Sequence, residues 1–207
     1  MNCVVLSAGS ITDYSLVKEY IGEGDYIVAA DGGYRHLAQL GVKCHYFIGD
    51  FDSYEGTPDC EWERYPAEKD DTDTMLAIKH GLLKGLDSFV ILGGLGGRLD
   101  HTVANFSALE YLKAHGAGGM LVDERTVVRL LGMGDNVFPV MRGGYISVFP
   151  FGCDSAVVSI SGVKYPVDHQ RLHSDFPLGV SNYVTDESAF CMKIHEGKVL
   201  VMECQKD

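Results

Sequence analysis

The 207-residue chain has no surplus of basic residues: 17 Lys and Arg stand against 29 Asp and Glu, a formal net charge of -12. Nucleic acid and anionic membrane surfaces select for basic faces, so neither is expected as a partner. A polyanion remains open as a ligand if a divalent cation comes with it. No apolar run approaches transmembrane length. The start, Met1-Asn2-Cys3-Val4-Val5-Leu6, lacks a basic region before its apolar run and reads as a first strand, not a signal peptide. No two of the six cysteines form C-x-x-C and their spacing fits no zinc template, so reduced thiols in a cytoplasmic protein are expected. There is no G-x-x-x-x-G-K-[ST] loop, and Leu99 stands where the dinucleotide fingerprint needs its last glycine. Internal repeats and low-complexity tracts are also missing.

What is present is an ordinary globular composition, 46% hydrophobic and 22% charged, enough for a substantial core. Over the first two thirds, short apolar runs alternate with amphipathic segments. The runs Cys3–Leu6, Tyr26–Ala30, Tyr46–Ile48, Phe89–Leu92 and Met120–Val122 read as strands. Helices are expected near Asp13–Ile21, Tyr34–Leu40, Thr72–Leu83 and His101–His115, with Met75, Ile78 and Leu82 on one inner face and Phe106, Leu109 and Leu112 on another. That alternation implies a mostly parallel sheet with helices on its faces. After about Gly132 the helical period is lost. Val137–Val140, Tyr145–Phe149, Ala156–Ile160, Ala189–Ile194 and Lys198–Met202 read as strands of a small sandwich-like β domain. The expected division is an α/β domain over 1–132 and a β domain over 133–207.

The acidic residues fall at telling places. Asp31 ends the second expected strand, Asp50 and Asp52 follow the third, and Asp100 follows the glycine-rich turn after the fourth. Ligands of open parallel sheets bind beyond the carboxyl ends of the strands, so these groups should meet along one edge. Asp70, Asp71 and Asp73 join them only if their helix begins at that edge. Converging carboxylates repel unless a hard cation intervenes, and Mg²⁺ takes one or two carboxylates plus waters and substrate phosphates. The set therefore points to Mg²⁺ carrying a nucleotide polyphosphate. Each aspartate also has a plainer reading, as a turn former or, for Asp70 and Asp71, as a helix N-cap. The turn Gly93-Gly94-Leu95-Gly96-Gly97 could present backbone N–H groups to an anion or serve close packing, and Arg98 could meet a phosphate or merely pair with Asp100.

Asp31-Gly32-Gly33, Gly49-Asp50-x-Asp52-Ser53, Asp70-x-Thr72-Asp73 and Gly93-Gly94-x-Gly96-Gly97-Arg98-x-Asp100-His101 resemble, in order, the signature of thiamin pyrophosphokinases. Gly162-Val163-Lys164-Tyr165-Pro166 and Gly179-Val180-Ser181-Asn182 resemble two further segments of that family. The resemblance implies an α/β catalytic domain, a β-sandwich domain, and a homodimer with thiamin bound where two subunits meet. It implies ATP and thiamin as substrates, with Mg²⁺ held by Asp50, Asp52, Asp73 and Asp100. Asp31, Gly32, Asp50, Ser53, Gly94, Gly96, Gly97 and Arg98 would contact the nucleotide. Asp71, Asp73, Arg98 and Asp100 would carry the chemistry, with Asp71, Asp100 and His101 all open as the base. Tyr165 would offer an aromatic face to thiamin, near Ser181 and Asn182. A diphosphokinase acting on another alcohol such as a hydroxymethylpterin, a Mg-nucleotide sensor and a Mg²⁺-dependent phosphohydrolase share the aspartate set as rivals.

Overall fold

The computed structural model describes residues 1–51, 57–139, 144–185 and 189–205. It divides into two compact units, Met1–Glu124 and Arg125–Asp207. Residues 132 and 133, the expected domain boundary, lie inside one continuous strand, because the loss of helical period there marks the middle of a long hairpin arm.

The first unit contains β1 (Cys3–Leu6), α1 (Tyr14–Lys18), β2 (Tyr26–Ala30), a 3-10 turn (Asp31–Arg35), α2 (His36–Leu40), β3 (Tyr46–Gly49) and β4 (Glu61–Arg64). It continues through α3 (Asp73–Leu83), β5 (Ser88–Leu92), α4 (Leu99–Ala114) and β6 (Gly118–Val122). Its described strands are all parallel, in the order β6-β5-β1-β2-β3-β4. β1 is buried along its whole length, as a strand covered on both faces should be. The chain winds from β1 outward to β4, then returns to β5 on the other side of β1. The strand order therefore reverses between β1 and β5, which is where an open α/β sheet forms its ligand crevice.

Four local differences from the sequence reading have physical causes. β4, Glu-Trp-Glu-Arg, is an exposed edge strand and carries no apolar signal. The expected helix over Tyr34–Leu40 opens as a 3-10 turn and ends on Gly41 in the left-handed region. The buried face of α3 is Leu76, Ala77, Ile78 and Gly81, so Met75 and Leu82 only flank it. The buried face of α4 is Asn105, Ala108, Leu109 and Leu112, with a polar residue where an apolar one was sought and Phe106 only half-buried.

The second unit is antiparallel: β7 (Thr126–Pro139), β8 (Tyr145–Pro150), β9 (Ser155–Ser161), β10 (Val167–His173), β11 (Asn182–Tyr183) and β12 (Ala189–Cys204). β12 pairs with β7 along its length. It also pairs with β9 over its first part and with β8 over its second. Two expected strands are thus one. His195-Glu196-Gly197 looks like a turn in sequence but forms a register shift inside the ladder, with Gly197 in the left-handed region. The core gathers Phe138 and Phe190, stacked with centroids 4.7 Å apart, with Val148, Ile160, Met192 and Val201. All six cysteines are free thiols, and no described helix is long and apolar enough to cross a membrane.

Candidate active site

A cavity of about 620 Å³ opens at the carboxyl edge of the parallel sheet. It is lined by the segments after β1, β2, β3 and β5 and by the start of α3. β4 explains why α3 starts there: its carboxyl end lies at the same edge, and residues 65–72 lead from it straight into the helix.

The segment after β2 is held tightly. Asp31 has φ 44° in a non-glycine residue, a conformation that persists only where the surroundings fix it. Gly33, two residues on, comes so near β1 that a Cβ there would lie 1.9 Å from the Leu6 carbonyl oxygen. The segment after β1 is fixed from the same side. Arg35 donates to the Ala8 carbonyl, and His36, buried, bridges Gly9 O at 2.9 Å and the Tyr14 hydroxyl at 2.8 Å. Burial holds the His36 imidazole below its ordinary range.

The glycine-rich turn divides into two halves with different reasons for glycine. Gly93 packs backbone to backbone, its carbonyl accepting from Gly9 N–H at 2.9 Å, and Gly94 O accepts from the buried Asn105 amide at 2.7 Å. Gly96 and Gly97 have φ 73° and 78° with open space around them, and both line the cavity. The first half is close packing. The second is a left-handed pair that turns the chain into the N-terminus of α4.

At α3 the cap is Thr72, whose Oγ1 accepts from Met75 N–H at 3.2 Å. Neither Asp70 nor Asp71 is needed as N-cap. Thr74 extends the link by bonding Ser7 Oγ at 2.8 Å, tying α3 to the end of β1. Asp73 meets Lys69 Nζ at 2.9 Å, and its Oδ1, closed off from solvent, accepts no well-directed hydrogen bond. Asp71 accepts from Lys79 Nζ through both oxygens, at 2.7 and 2.8 Å. Arg98 and Asp100 form an exposed ion pair at 2.6 Å, which holds the Asp100 carboxyl below the usual carboxylate range.

The structure thus brings Asp31, Asp50, Asp71, Asp73, Gly94, Gly96, Gly97 and Arg98 to one cavity. Gly32 is buried in the 3-10 turn, and Asp100 is tied to Arg98 and does not line the cavity. Asp52 and Ser53 lie outside the described residues. Ser7, Lys69, Thr74 and Asn105 line the cavity as well and were not singled out by sequence. For Ser7 the available signal was its place directly after β1, at the point where the strand order reverses.

Among the described residues, four carboxylates but only two permanent cations, Lys69 and Arg98, line the cavity. A polyphosphate would be repelled unless a cation accompanied it. The hard oxygen donors fit Mg²⁺. Among the described residues, no three aspartates offer oxygens within 4.8 Å of one another.

In the second unit, Asn182 clamps the backbone of Tyr165, accepting from its N–H at 3.1 Å and donating to its carbonyl at 2.8 Å. Ser181, at φ 60°, donates its N–H to Ser147 Oγ at 3.1 Å. The Tyr165 ring is exposed and meets Tyr183 edge-on at 6.4 Å. Lys164 Nζ stands 5.4 Å from the Tyr165 centroid and 5.0 Å from that of Tyr183.

Two family models match: thiamin pyrophosphokinase, catalytic domain, over residues 17–118, and thiamin pyrophosphokinase, vitamin B1 binding domain, over residues 137–199. A thiamine pyrophosphokinase of Bacillus subtilis is 29% identical over 171 residues, covering 79% of this chain and 80% of the relative. Thiamin pyrophosphokinase 1 of Caenorhabditis elegans is 24% identical over 202 residues, covering 91% of this chain and 83% of the relative. In fold, the chain superposes on the crystal structure of a Bacillus subtilis thiamine pyrophosphokinase with a TM-score of 0.89 at 23% identity, with both chains fully covered. A Candida albicans thiamin pyrophosphokinase gives a TM-score of 0.79 at 17% identity, covering 99% of this chain and 89% of that one.

Proposed function

The chain belongs to the thiamin pyrophosphokinase family, and from that premise we infer how its own residues transfer a diphosphoryl group from ATP to the hydroxyl of thiamin, giving thiamin diphosphate and AMP. The observation that carries the reading is the meeting of Asp31, Asp50, Asp71 and Asp73, from three separate loops, around one cavity where the strand order reverses.

Transfer of this kind asks the protein mainly for positioning and for neutralising charge. Asp50 and Asp73 would hold Mg²⁺, with Asp52 from the same segment as Asp50. When bound, that ion offsets the charge on the phosphate oxygens. Lys69, which pairs with Asp73 and lines the cavity, would be free to meet the phosphates once Asp73 served the ion. Arg98 reaches a phosphate oxygen, and Asp100 acts through it by fixing the guanidinium in plane. Gly96 and Gly97 let backbone N–H groups approach at the start of α4, where the helix dipole favours an anion.

The acceptor hydroxyl has to lose a proton. Asp100 is weakened as a base by Arg98, and Asp71 already accepts from Lys79 through both oxygens. His101 lines the cavity and is the remaining candidate of the three. Tyr165 would give the thiazolium ring of thiamin an aromatic face, with its backbone position set by Asn182. Lys164 stands over the same ring, so the cationic ligand either takes the other face or displaces the ammonium. Binding as a homodimer is part of this proposal.

Product analysis tests it. Chain, ATP, Mg²⁺ and thiamin together should yield AMP and thiamin diphosphate in equal amounts, and omission of Mg²⁺ should stop both. AMP formed only with a hydroxymethylpterin, phosphate released without any acceptor, or ATP bound without turnover would each overturn the assignment. A monomer by light scattering under active conditions would remove the dimer.

A further inference from the structure

A second cluster of ligating groups lies wholly within the β unit. Asp168, His169 and His195 each offer one donor atom, and these atoms all lie within 4.8 Å of one another. We propose that the three form a binding site for a borderline divalent transition metal, Zn²⁺ first among them, separate from the nucleotide site.

Two irregularities in the ladder build the cluster. β10 shifts register between Val167 and Gln170, and β12 shifts between Ile194 and Glu196. Such bulges re-aim side chains that a regular strand would send to alternate faces. In β10 the shift puts His169 at φ 48° and turns consecutive residues, Asp168 and His169, toward one point. The His169 and His195 rings stack with centroids 3.9 Å apart and 23° between planes. His169 Nδ1 lies 2.8 Å from Asp168 Oδ1.

Ser159 organises all three. Its hydroxyl donates to Asp168 Oδ1 at 2.8 Å, lies 2.8 Å from His195 Nε2, and accepts the His169 N–H at 2.9 Å. A hydroxyl has one proton, so the donation to Asp168 makes His195 Nε2–H the donor to Ser159. The network is thus a set of donors held together by protons. A metal takes their place when the protons on His195 Nε2 and His169 Nδ1 shift to the other ring nitrogens or leave to water, and Ser159, released from His195 Nε2, stays as the outer partner that orients Asp168. Metal–ligand bonds of about 2.1 Å need donor separations of roughly 3.4 Å in a tetrahedron. The His169–Asp168 contact has only to open by about half an ångström, which two exposed side chains can supply.

The donor chemistry selects the ion. Two imidazoles and one carboxylate suit Zn²⁺, Co²⁺ or Ni²⁺, while Mg²⁺ prefers an oxygen shell. Three protein ligands leave a coordination position open, as in sites that keep a water or take a ligand. Asp168 and Ser159 also line a separate cavity of about 660 Å³, with Lys193 on its wall.

The test uses the full chain with excess Mg²⁺ present. Zn²⁺ titrated by calorimetry should bind one equivalent, and Co²⁺ should give a ligand-field spectrum without a thiolate charge-transfer band. His169→Asn and His195→Ala should each weaken binding tenfold or more. Asp168→Asn, at an exposed site, should do so without altering the metal-free melting curve. Cys191→Ser should leave affinity unchanged. The proposal is overturned by absence of a stoichiometric site, by a thiolate band, or by wild-type affinity in the His169→Asn/His195→Ala double variant.

Discussion

Asn105→Ala isolates one contact on which the glycine-rich turn depends. Asn105 sits on the buried face of α4, and its amide donates to Gly94 O at 2.7 Å. Removing the donor leaves a buried carbonyl unsatisfied, which costs about 1–3 kcal/mol. For a unit of this size that is a fall of roughly 3–15 °C in unfolding midpoint. Alanine also leaves a hole, so Asn105→Leu separates the effects. Leucine refills the volume but brings no donor, so most of the loss should remain. The turn carries Gly96 and Gly97 to the cavity, so the KM for ATP should rise in both variants while that for thiamin stays near wild type. Thermal unfolding followed by circular dichroism, with steady-state kinetics well below the lowered midpoint, reads both effects. An Asn105→Leu variant as stable as wild type would refute the hydrogen-bond argument, and unchanged ATP kinetics in a destabilised variant would detach the contact from the site.

Asp73→Asn should remove nearly all turnover and leave the melting curve close to wild type, since Thr72 and not Asp73 caps α3; normal rates would end its metal role. Tyr165→Ala should raise the thiamin KM at least several-fold more than the ATP KM, and equal changes would count against a direct contact. Burial lowers the His36 pKa relative to the unfolded chain, so the neutral ring stabilises the fold above about pH 6.5 and that contribution is lost as pH falls below it. The unfolding midpoint should therefore drop on acidification below that point, less steeply in His36→Asn, and identical slopes would refute the assignment to His36.

Much of this was legible in the sequence because the parallel sheet writes its strands as plain apolar runs. Cys3–Leu6, Tyr26–Ala30 and Tyr46–Ile48 are such runs, and Asp31 and Asp50, after the second and the third, reach the edge that the topology demands. β4 left no trace, since an exposed edge strand with one apolar residue, Trp62, among charged ones shows neither a run nor an alternation. The role of Asn105 was hidden for the opposite reason: a buried polar residue interrupts the stripe that marks a helix face, and only its partner, Gly94 O, explains it. In the β unit, His195-Glu196-Gly197 reads as a turn by composition, and only pairing with β7 on both sides shows it to be a bulge.

The partnering of the acidic groups separates roles that composition alone leaves equal. Asp71 and Asp100 face cations that already satisfy them, from Lys79 and Arg98, and so each serves best by placing its partner. Asp73 is different, because its cation among the described residues is Lys69, four residues earlier on a flexible stem, and its Oδ1 accepts no well-directed hydrogen bond. If a metal ion took the place of that ammonium at Asp73, Lys69 would be free to meet the phosphates. Lys69→Ala should therefore impair turnover with ATP while leaving the affinity for Mg²⁺ alone equal or tighter, because a competitor for Asp73 is gone. Weaker Mg²⁺ binding in that variant, measured by calorimetry without nucleotide, would show that Lys69 supports the carboxylate instead of competing for it.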